Sequence, residues 1–476
     1  RSSDLPKTIS KGAVAIMNLS TASLAMHGRL TGADGQFDSV GTDSRAIRAG
    51  QLFVALKGEH FDGHDYAKQA LELGAAAVVL EENSANLAPA ILVKDSYLAL
   101  GQLAAHWRAK FSLPVLAITG SNGKTTVKEM VSAILAAKAG GMEAIHATVG
   151  NLNNHIGMPL TLLNLRASHQ YAVLEMGMNH LGEIAYLSNL AKPTLAIINN
   201  AGTAHIGELG SRDNIAQAKG EIFLGLAADG IALINADDNY ASYWRGLNAG
   251  KKILTFAMEQ AADVQASYQE RAGDCIVNLR TPVGEVDFVL PLMGSHNVRN
   301  ALAAAAAAHA MGISNKDIAN GLAGFSAVKG RLQYKLAVND ARLIDDTYNA
   351  NPDSTKAAID VLANQAGDKI LVLGDMGELG ADAARMHREI GEYAKAKGLQ
   401  QLYCLGELSV EMVQGFGDGA RHFEDAAALA QAIKPQLSAA MTVLVKGSRF
   451  MKMERVVNML DQTNNQTSLL ENQSCY

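Results

Sequence analysis

The chain has 476 residues, and at roughly 150 residues per domain this length predicts about three domains. Its 41 Lys and Arg residues against 47 Asp and Glu residues give a net charge of −6, so we expect no polybasic surface for nucleic acid or for an anionic membrane. Apolar residues make up 48% and charged residues 18%, a balance that excludes disorder and predicts a cytoplasmic enzyme with several buried cores.

Neither a disulfide framework nor a membrane anchor is expected. The three cysteines, Cys275, Cys404 and Cys475, are far apart, odd in number and outside any Cys/His cluster, which also argues against zinc. No run of 18 apolar residues is present, so we expect no transmembrane helix. Residues 12–26 are apolar but interrupted by polar side chains, and we predict an amphipathic helix there rather than a signal peptide.

The first part of the chain predicts a small α/β domain. Residues 51–56 and 76–80 are apolar runs typical of strands, and residues 66–73 between them predict a helix. Phe-Ser-Leu-Pro at 111–114 is a plausible linker, because proline restrains the preceding residue to extended geometry. We place the first domain at residues 1–112.

From residue 115 onward, short apolar runs alternate with alanine-rich helical stretches, as a buried parallel sheet requires. The predicted strands are residues 115–119, 171–175, 195–199, 231–235, 369–373, 402–405 and 442–445. A boundary near residues 327–330 precedes a new strand that we predict to begin at Arg331. The expected fold is therefore α/β with three domains: residues 1–112, a central P-loop parallel-sheet ATPase domain at 113–328, and a C-terminal Rossmann-like domain at 329–476.

The strongest local signal is a glycine-rich loop between a predicted strand and a predicted helix. Such a loop lets backbone N–H groups approach phosphate oxygens, while a lysine neutralises phosphate charge and a threonine hydroxyl binds Mg²⁺. Two residues separate the glycines, rather than the four of a standard Walker loop. The residues expected to bind the nucleotide here are Gly120, Ser121, Asn122, Gly123, Lys124, Thr125 and Thr126.

Polar residues follow the next predicted strands. Glu175 ends one strand, His205 follows another, and Lys219 comes further on. Because the carboxyl ends of parallel strands open onto one crevice, Glu175 is a natural Mg²⁺ ligand beside the phosphate loop. Taken singly, His205 would be interpreted as a hydrogen-bonded loop histidine and Lys219 as a solvated helix residue. Only their relation to the phosphate loop indicates a role in the site.

Several motifs together resemble those of the Mur ligases. They are Gly-Ser-Asn-Gly-Lys-Thr-Thr at 120–126, Asn-Leu-Asn-Asn-His-Ile-Gly-Met-Pro at 151–159, Glu-Met-Gly-Met at 175–178 and Asp-Thr-Tyr-Asn-Ala-Asn-Pro at 346–352. The resemblance runs from Thr-Asp-Ser-Arg at 42–45 to Lys-Gly-Ser-Arg at 446–449, nearly the whole chain. It implies an ATP-dependent ligase that forms peptide bonds in peptidoglycan synthesis, with ATP and two Mg²⁺ ions as cofactors.

The resemblance implies roles in the first two domains. Ser44 and Arg45 would contact the uridine-diphosphate end of the substrate, although the tetrapeptide alone reads equally as a surface turn. Asn151, Asn153 and Asn154 would face the substrate near the γ-phosphate, or form Asx-turns. Lys219, if carbamylated, would hold a second Mg²⁺ together with His205. Asn297 and Asn300 would contact adenine, or cap a helix.

In the third domain, the resemblance implies that Arg331 reaches the ATP phosphates and that Asp346 binds ribose. The loop that follows would contact the incoming substrate through Tyr348, Asn349, Asn351, Asp353 and Ser354. Residues 374–380, His387 and residues 446–449 would belong to the same cleft. Residues 374–380 lack the GxGxxG spacing of a dinucleotide site, so we reject an NAD enzyme.

The loop sequence favours one member of the family. Ligases that add a diamino acid usually carry Asp-Asn-Pro-Arg, whereas this chain has Asn-Ala-Asn-Pro-Asp-Ser at 349–354. The missing arginine favours an enzyme that joins D-alanyl-D-alanine to UDP-N-acetylmuramoyl-tripeptide through an acyl phosphate, acting as a monomer. The alternatives are a ligase that adds a single amino acid, a folylpolyglutamate synthetase-like ligase and, from another class, a P-loop NTPase switch.

Overall fold

The computed structural model describes residues 14–84, 87–271 and 273–463. These residues form sheets of five, nine and six strands, together with one two-stranded pairing. The expected α/β class is confirmed. We refer below to an N-terminal segment (14–112), a central segment (113–328) and a C-terminal segment (329–463). Cys475 lies outside the described residues, whereas Cys275 and Cys404 are buried free thiols.

The N-terminal sheet is parallel except at one edge, where Arg29–Thr31 runs antiparallel to its neighbour. In spatial order its strands are Arg29–Thr31, Ala90–Val93, Ala77–Glu81, Gln51–Val54 and Ser39–Gly41. The α-helices of this segment are Leu19–Ala25, Ala67–Glu72 and Ser96–Arg108. Both predicted strands and the predicted helix between them are present.

The amphipathic helix predicted at residues 12–26 is wrong in its extent. The helix covers only Leu19–Ala25, and the two residues before it form the strand Met17–Asn18. Met17 pairs with Phe37 and Asn18 with Gln36, so antiparallel pairing keeps this backbone extended. Residues 1–13 lie outside the described part of the chain.

The central sheet contains seven parallel strands extended by an antiparallel hairpin. Its order is Gly284–Leu290, Cys275–Thr281, Val264–Glu270, Lys252–Ala257, Ile231–Asn235, Leu195–Ile198, Val115–Thr119, Tyr171–Glu175 and Ile145–Ala147. The α-helices of this segment are Lys124–Ala139, Gly157–Leu163, Glu183–Ala191, Ile206–Leu209, Arg212–Gly220, Ala241–Leu247, Ser295–Ala310 and Asn315–Ala323. The sequence predicted four of the parallel strands but not the hairpin.

The C-terminal sheet is parallel except for its first strand. Its order is Gln333–Leu336, Arg342–Asp346, Met441–Lys446, Asp368–Gly374, Gln401–Leu405 and Ala420–Phe423. The α-helices are Pro352–Ala363, Ala383–Ala396, Ser409–Phe416, Ala426–Ile433 and Glu454–Leu460. The strand predicted to begin at Arg331 begins two residues later, because Gly330 and Leu332 have positive φ angles and turn Arg331 out of the strand.

One apolar core joins the N-terminal and central segments. Leu100, Leu103 and Trp107 of the helix Ser96–Arg108 share a buried cluster with residues of the central segment. Trp107 Nε1 donates to the Leu165 carbonyl at 3.1 Å, and the buried Arg108 Nε donates to the Ala191 carbonyl at 2.8 Å. These bonds satisfy polar groups that would otherwise be costly to bury. None of the described helices is both long and apolar enough to cross a membrane.

Candidate functional site

A cleft of about 1260 Å³ lies between the central and C-terminal segments. It opens where the central parallel strands end, the position at which open α/β sheets bind ligands. Most of the residues predicted for the site line it: Ser121, Asn122, Gly123, Lys124, Thr125, Thr126, Asn151, Asn153, Asn154, Glu175, His205, Asn297, Asn300, Arg331, Asp346, Tyr348, Asn349, Asn351, Asp353 and Ser354. The sequence therefore identified side chains that folding brings together from positions far apart.

The phosphate loop is shaped by one glycine. Gly123 has φ +80° and directly precedes the helix Lys124–Ala139. A Cβ at this position would lie 2.2 Å from Asn300 Oδ1, so both the backbone conformation and the close approach require glycine. The free N–H groups of the first helical turn then face the cleft, and the helix dipole favours an anion there.

Asparagines hold the loop from the neighbouring strand end. Asn199 Nδ2 donates to the Asn122 carbonyl at 2.9 Å and to Asn300 Oδ1 at 3.0 Å. Asn200 accepts from the Asn122 backbone N–H at 2.9 Å. Asn300, predicted to contact adenine, is thus already engaged with the loop. The sequence did not lead us to predict Asn199 and Asn200 as site residues. Their position at the end of a predicted parallel strand, where binding residues are typically found, was the signal that could have identified them.

Lys124 lies among several charges inside the cleft. Its Nζ donates to the Gly120 carbonyl at 2.7 Å. Burial lowers the pKa of Lys124, and the Arg331 cation lowers this pKa further, while the Glu175 and Glu378 carboxylates raise it. Lys124 and Arg331 therefore concentrate positive charge beside the helix terminus, an arrangement suited to a polyphosphate.

Glu175 connects the phosphate loop to the asparagine-rich loop. Its two carboxylate oxygens accept from Thr125 Oγ1 and Asn153 Nδ2, both at 2.9 Å. Its backbone N–H donates to Thr148 Oγ1 at 2.9 Å. Thr125 Oγ1 also accepts from Arg331 Nη2 at 2.9 Å. A residue of the C-terminal segment thus contacts the hydroxyl of the phosphate loop directly.

The oxygens of Thr125 and Glu175 fit a Mg²⁺ ion that also binds phosphate. Both are hard donors, and Mg²⁺ usually combines one or two protein oxygens with substrate phosphates and water. No group of three or more His, Cys, Asp or Glu side chains in the described residues could hold a metal by itself. An ion at Thr125 and Glu175 would therefore take its remaining ligands from outside this set of side chains, such as water and the phosphates of a nucleotide.

His205 contacts a carboxylate that the sequence analysis did not select. His205 Nδ1 lies 2.7 Å from Glu378 Oε2, and both residues have positive φ angles. The Glu378 carbonyl accepts from the Gly207 N–H at 2.9 Å. The neighbouring His205 lowers the pKa of Glu378. Glu378 lies within the 374–380 motif, but its position opposite His205 depends on how two separate segments pack.

Lys219 is buried without an ionic partner among the described residues. Its side chain is 1% exposed, and its Nζ lies 3.9 Å from Sδ of Met178, which lines the cleft. Burial and the nearby Lys124 cation lower the pKa of Lys219 well below its usual value, against an opposing effect of Asp238. A buried lysine of this kind readily becomes a neutral amine, the form that reacts with CO₂.

Asp346 is held by a buried lysine. Lys446 Nζ donates to Asp346 Oδ2 at 2.7 Å and to the Asn349 carbonyl at 2.8 Å. The other carboxylate oxygen of Asp346 accepts from the Leu332 N–H at 3.1 Å. Lys446 also lines the cleft. The carboxylate predicted to bind ribose is therefore fixed in place at the end of its strand.

The loop after Asp346 is anchored by helix capping. The Asn351 side chain accepts from the Ser354 N–H at 2.9 Å, and Ser354 Oγ accepts from the Asn351 N–H at 3.0 Å. This capping box begins the helix Pro352–Ala363, with proline in its first turn. Asn351 Nδ2 also donates to Asn122 Oδ1 at 2.7 Å, so the cap contacts the phosphate loop.

Other predicted residues have local partners or lie elsewhere. Asn154 accepts from the Gly157 N–H at 2.9 Å, and Asn297 donates to the Met293 carbonyl at 2.7 Å. Ser44 and Arg45 lie outside the cleft lining, and the Arg45 side chain is 88% exposed and paired with Asp43. Gly120 and Lys219 also lie outside the lining.

His387 does not belong to the cleft, contrary to the expectation from resemblance. It is fully buried and absent from the lining. Its Nε2 accepts from the Met376 N–H at 2.9 Å, and its Nδ1 lies 2.7 Å from the Ala383 carbonyl. His387 thus supports the loop that carries Glu378 without facing a ligand.

Three family models match successive parts of the chain. They are described as Mur ligase family, catalytic domain, at residues 36–108; Mur ligase middle domain, at residues 118–308; and Mur ligase, glutamate ligase domain, at residues 330–449. The matched regions cover four of the five strands of the N-terminal sheet, the phosphate loop and the C-terminal sheet in turn.

Individual relatives match over almost their whole length. UDP-N-acetylmuramoyl-tripeptide–D-alanyl-D-alanine ligase of Escherichia coli (strain K12) is 44% identical over 451 residues, or 94% of this chain and 98% of the relative. A crystal structure of MurF from Acinetobacter baumannii has a TM-score of 0.87 at 36% identity, covering 93% of this chain and 99% of that one. MurF ligase from Thermotoga maritima in complex with ADP has a TM-score of 0.81 at 29% identity, covering 90% and 98%.

Proposed function

Because the chain belongs to the Mur ligase family, we propose that it joins D-alanyl-D-alanine to UDP-N-acetylmuramoyl-tripeptide with consumption of ATP. It is an ATP-dependent ligase that forms a peptide bond. Relatives whose names describe this reaction match the chain over nearly its whole length. The product is the UDP-muramoyl-pentapeptide of peptidoglycan synthesis.

The reaction begins with activation of a carboxylate. The terminal carboxylate of the tripeptide attacks the γ-phosphorus of ATP, and an acyl phosphate and ADP result. Lys124, Arg331 and the N-terminus of the helix Lys124–Ala139 stabilise the charge that develops on the phosphate oxygens. Removing this charge stabilisation would slow the step, because both reactants are anions.

Amide formation then consumes the acyl phosphate. The free amine of D-alanyl-D-alanine attacks the carbonyl carbon, a tetrahedral intermediate forms, and phosphate leaves as the amine loses a proton. The cleft between the central and C-terminal segments keeps the reacting groups close and limits access of water, which would hydrolyse the acyl phosphate. We assign no residue as the base that deprotonates the amine.

Metal ions would complete the site. Thr125 and Glu175 would hold one Mg²⁺, and His205 with Lys219, if carbamylated, would hold a second. When bound, Mg²⁺ would supply charge stabilisation on the transferring phosphoryl group. The buried, uncompensated amine of Lys219 supports carbamylation, because the reaction turns a cation that is costly to bury into an anion able to bind a metal.

The three segments divide the substrates among them. Residues 1–112 bind the uridine-diphosphate end through Ser44 and Arg45, whose guanidinium has the geometry to bind phosphate. Residues 113–328 bind ATP and metal, with Asn297 and Asn300 at adenine and Asn151, Asn153 and Asn154 beside the γ-phosphate. Residues 329–476 bind ribose through Asp346 and receive the dipeptide beside Asn349. We propose that the enzyme acts in the cytoplasm and as a monomer.

The hydrogen bond from Arg331 to Thr125 carries this assignment. It joins residues 206 positions apart and brings a cation of the C-terminal segment onto the phosphate loop. A P-loop switch that uses water as acceptor would not need the asparagine-rich loop at 151–159, whose Asn153 Nδ2 donates to Glu175 beside the phosphate loop. The absence of Asp-Asn-Pro-Arg at 349–354 favours the dipeptide over a single amino acid, and the segment at 42–45 disfavours a folate substrate.

The acceptor is tested by phosphate release from ATP. With UDP-N-acetylmuramoyl-tripeptide and Mg²⁺ present, we expect sustained phosphate release only when D-alanyl-D-alanine is added. D-alanine, L-lysine and L-glutamate at the same concentration are the matched controls. Equal release without any acceptor would indicate an NTPase, and equal stimulation by a single amino acid would contradict the dipeptide assignment.

A further inference from the structure

Arg331 and Tyr348 form a stacked pair inside the cleft. The Arg331 guanidinium carbon lies 4.1 Å from the centre of the Tyr348 ring. The Tyr348 N–H donates to the Gly330 carbonyl at 3.0 Å, which keeps the two residues side by side. Both side chains line the cleft. The ring therefore faces the same guanidinium that donates to Thr125 Oγ1.

The charge environment explains why Arg331 needs such a partner. Its positive charge is close enough to Lys124 to lower the pKa of that lysine. Two cations placed side by side repel one another, and the negative face of an aromatic ring offsets part of that cost. Arg331 Nε is also buried and has no hydrogen-bond partner among the described residues.

The ring of Tyr348, rather than its hydroxyl, makes the contact seen in the structure. Within the described residues, the Tyr348 hydroxyl has no hydrogen-bond partner, whereas the hydroxyls of Tyr97 and Tyr240 donate at 2.8 and 2.6 Å. The contact of Tyr348 with Arg331 is therefore made by its ring.

We propose that Tyr348 is a positioning residue that orients the Arg331 guanidinium toward the phosphates of ATP. This inference rests on the proposed function and replaces the expectation that Tyr348 binds the dipeptide directly. The ring holds the guanidinium plane against the cleft wall, so that its donors face the phosphate loop before nucleotide arrives. Less ordering of Arg331 is then required on binding.

Binding of the non-hydrolysable analogue AMP-PNP with Mg²⁺, measured by calorimetry, tests the proposal. We expect Tyr348→Leu to weaken binding about tenfold, the size of a well-formed cation–π contact. Tyr348→Phe keeps the ring and should bind within about twofold of the wild type. Tyr393→Leu is the matched control, because it removes a tyrosine ring from Lys397, 5.0 Å away and outside the large cleft.

Repeating the substitution in an Arg331→Met enzyme distinguishes a positioning role of Tyr348 from general damage to the fold. In an Arg331→Met enzyme, Tyr348→Leu should change the AMP-PNP affinity by less than about twofold, because the partner of the ring is gone. The same tenfold loss in that background would overturn the proposal. So would a Tyr348→Leu enzyme with a raised KM for D-alanyl-D-alanine and unchanged AMP-PNP affinity, since the side chain would then act on the dipeptide and not through Arg331.

These measurements are independent of the ligation assay. Wild-type protein that binds AMP-PNP but releases no phosphate on addition of dipeptide contradicts the proposed function and not the Arg331–Tyr348 relationship. Tyr348→Leu protein that ligates normally and binds AMP-PNP as tightly as wild type contradicts the positioning role alone.

Discussion

Asp353 accepts two hydrogen bonds through one oxygen from Thr203, a residue 150 positions earlier in the chain. The Thr203 N–H donates at 2.7 Å and the Thr203 hydroxyl at 2.9 Å. A Cβ at Gly202 would lie 2.4 Å from the same carboxylate oxygen, so the neighbouring position leaves room for the contact. Asp353, expected from resemblance to bind substrate, therefore docks the C-terminal segment onto the loop that leads to His205.

Loss of the Asp353 carboxylate should weaken the docking of the C-terminal segment onto the central segment, and should not affect the contact with one substrate alone. Hydrogen bonds to a charged group contribute about 1.5–3 kcal/mol. We expect Asp353→Ala to lower kcat/KM about tenfold for both ATP and dipeptide, because the docked arrangement is less populated. Steady-state kinetics with each substrate varied in turn measure this.

Thr203→Val is the matched variant for that measurement. It removes the hydroxyl donor but keeps the backbone N–H, so its effect should be smaller than that of Asp353→Ala. A rise in KM for the dipeptide alone in Asp353→Ala, with ATP kinetics unchanged, would instead support the direct substrate role.

Asn351 combines two functions that substitutions can separate. Asn351→Ala loses both the helix cap and the bond to Asn122, and we expect the free energy of unfolding to fall by about 1 kcal/mol. Asn351→Ser keeps a capping oxygen but is too short to reach Asn122 Oδ1. It should therefore recover most of the stability in denaturant titrations, while its activity stays close to that of Asn351→Ala. Full activity in the serine variant would show that the Asn122 contact is dispensable.

Lys219 should lower the stability of the protein in carbonate-free buffer. Its pKa is depressed in the folded state, so over the pH range between the folded and unfolded pKa values the unfolded chain binds more protons. Stability therefore rises with pH until the unfolded pKa of lysine is reached. We expect Lys219→Met to be more stable than wild type at pH 7, by a margin that shrinks as the pH rises.

Denaturant titrations of both proteins from pH 7 to pH 9.5 measure this margin. The same variant should lose at least about tenfold in ligase activity, because methionine cannot be carbamylated. A stability difference that grows with pH would contradict an uncompensated buried amine, and normal activity would contradict a metal-binding role for Lys219.

Lys124 should be needed for turnover and not for folding. We expect Lys124→Ala to lower kcat by about two to three orders of magnitude, the usual effect of removing one group that stabilises transition-state charge. Thermal unfolding should stay close to that of wild type, because removing the partly buried Lys124 cation relieves its repulsion from Arg331. Near-normal turnover in this variant would refute the phosphate-loop assignment.

The sequence predicted the features that depend on local pattern. Apolar runs such as Val115–Thr119 and Tyr171–Glu175 are strands in the structure, and the turn at Gly123 followed from the glycine-rich motif between a strand and a helix. The antiparallel hairpin Cys275–Thr281 with Gly284–Leu290 was missed, because its mixed polar pattern is weaker than that of a strand buried on both faces. The length of the helix near Leu19 was overestimated. The residues before it form a strand that pairs with Phe37, and a local sequence pattern does not reveal such a long-range pairing.

Within the site, it was harder to predict which residues contact one another than which residues line the cleft. Lys124, Glu175 and Arg331 were identified by chemistry and resemblance, and all three line the cleft. The contacts of Glu378 with His205 and of Asp353 with Thr203 were not foreseen, since each depends on how the C-terminal segment packs against the central one. Spacing along the chain carries no information about that packing.

Transfer of isotope from the tripeptide to phosphate tests the central claim most directly. With both oxygens of the terminal carboxylate of the UDP-N-acetylmuramoyl-tripeptide labelled with ¹⁸O, one oxygen passes to phosphate when the acyl phosphate is cleaved, and the other stays in the new amide. We expect mass spectrometry to find one labelled phosphate for each pentapeptide formed with D-alanyl-D-alanine. Unlabelled phosphate, or phosphate release with no pentapeptide, would contradict activation of the peptide carboxylate by ATP in this cleft.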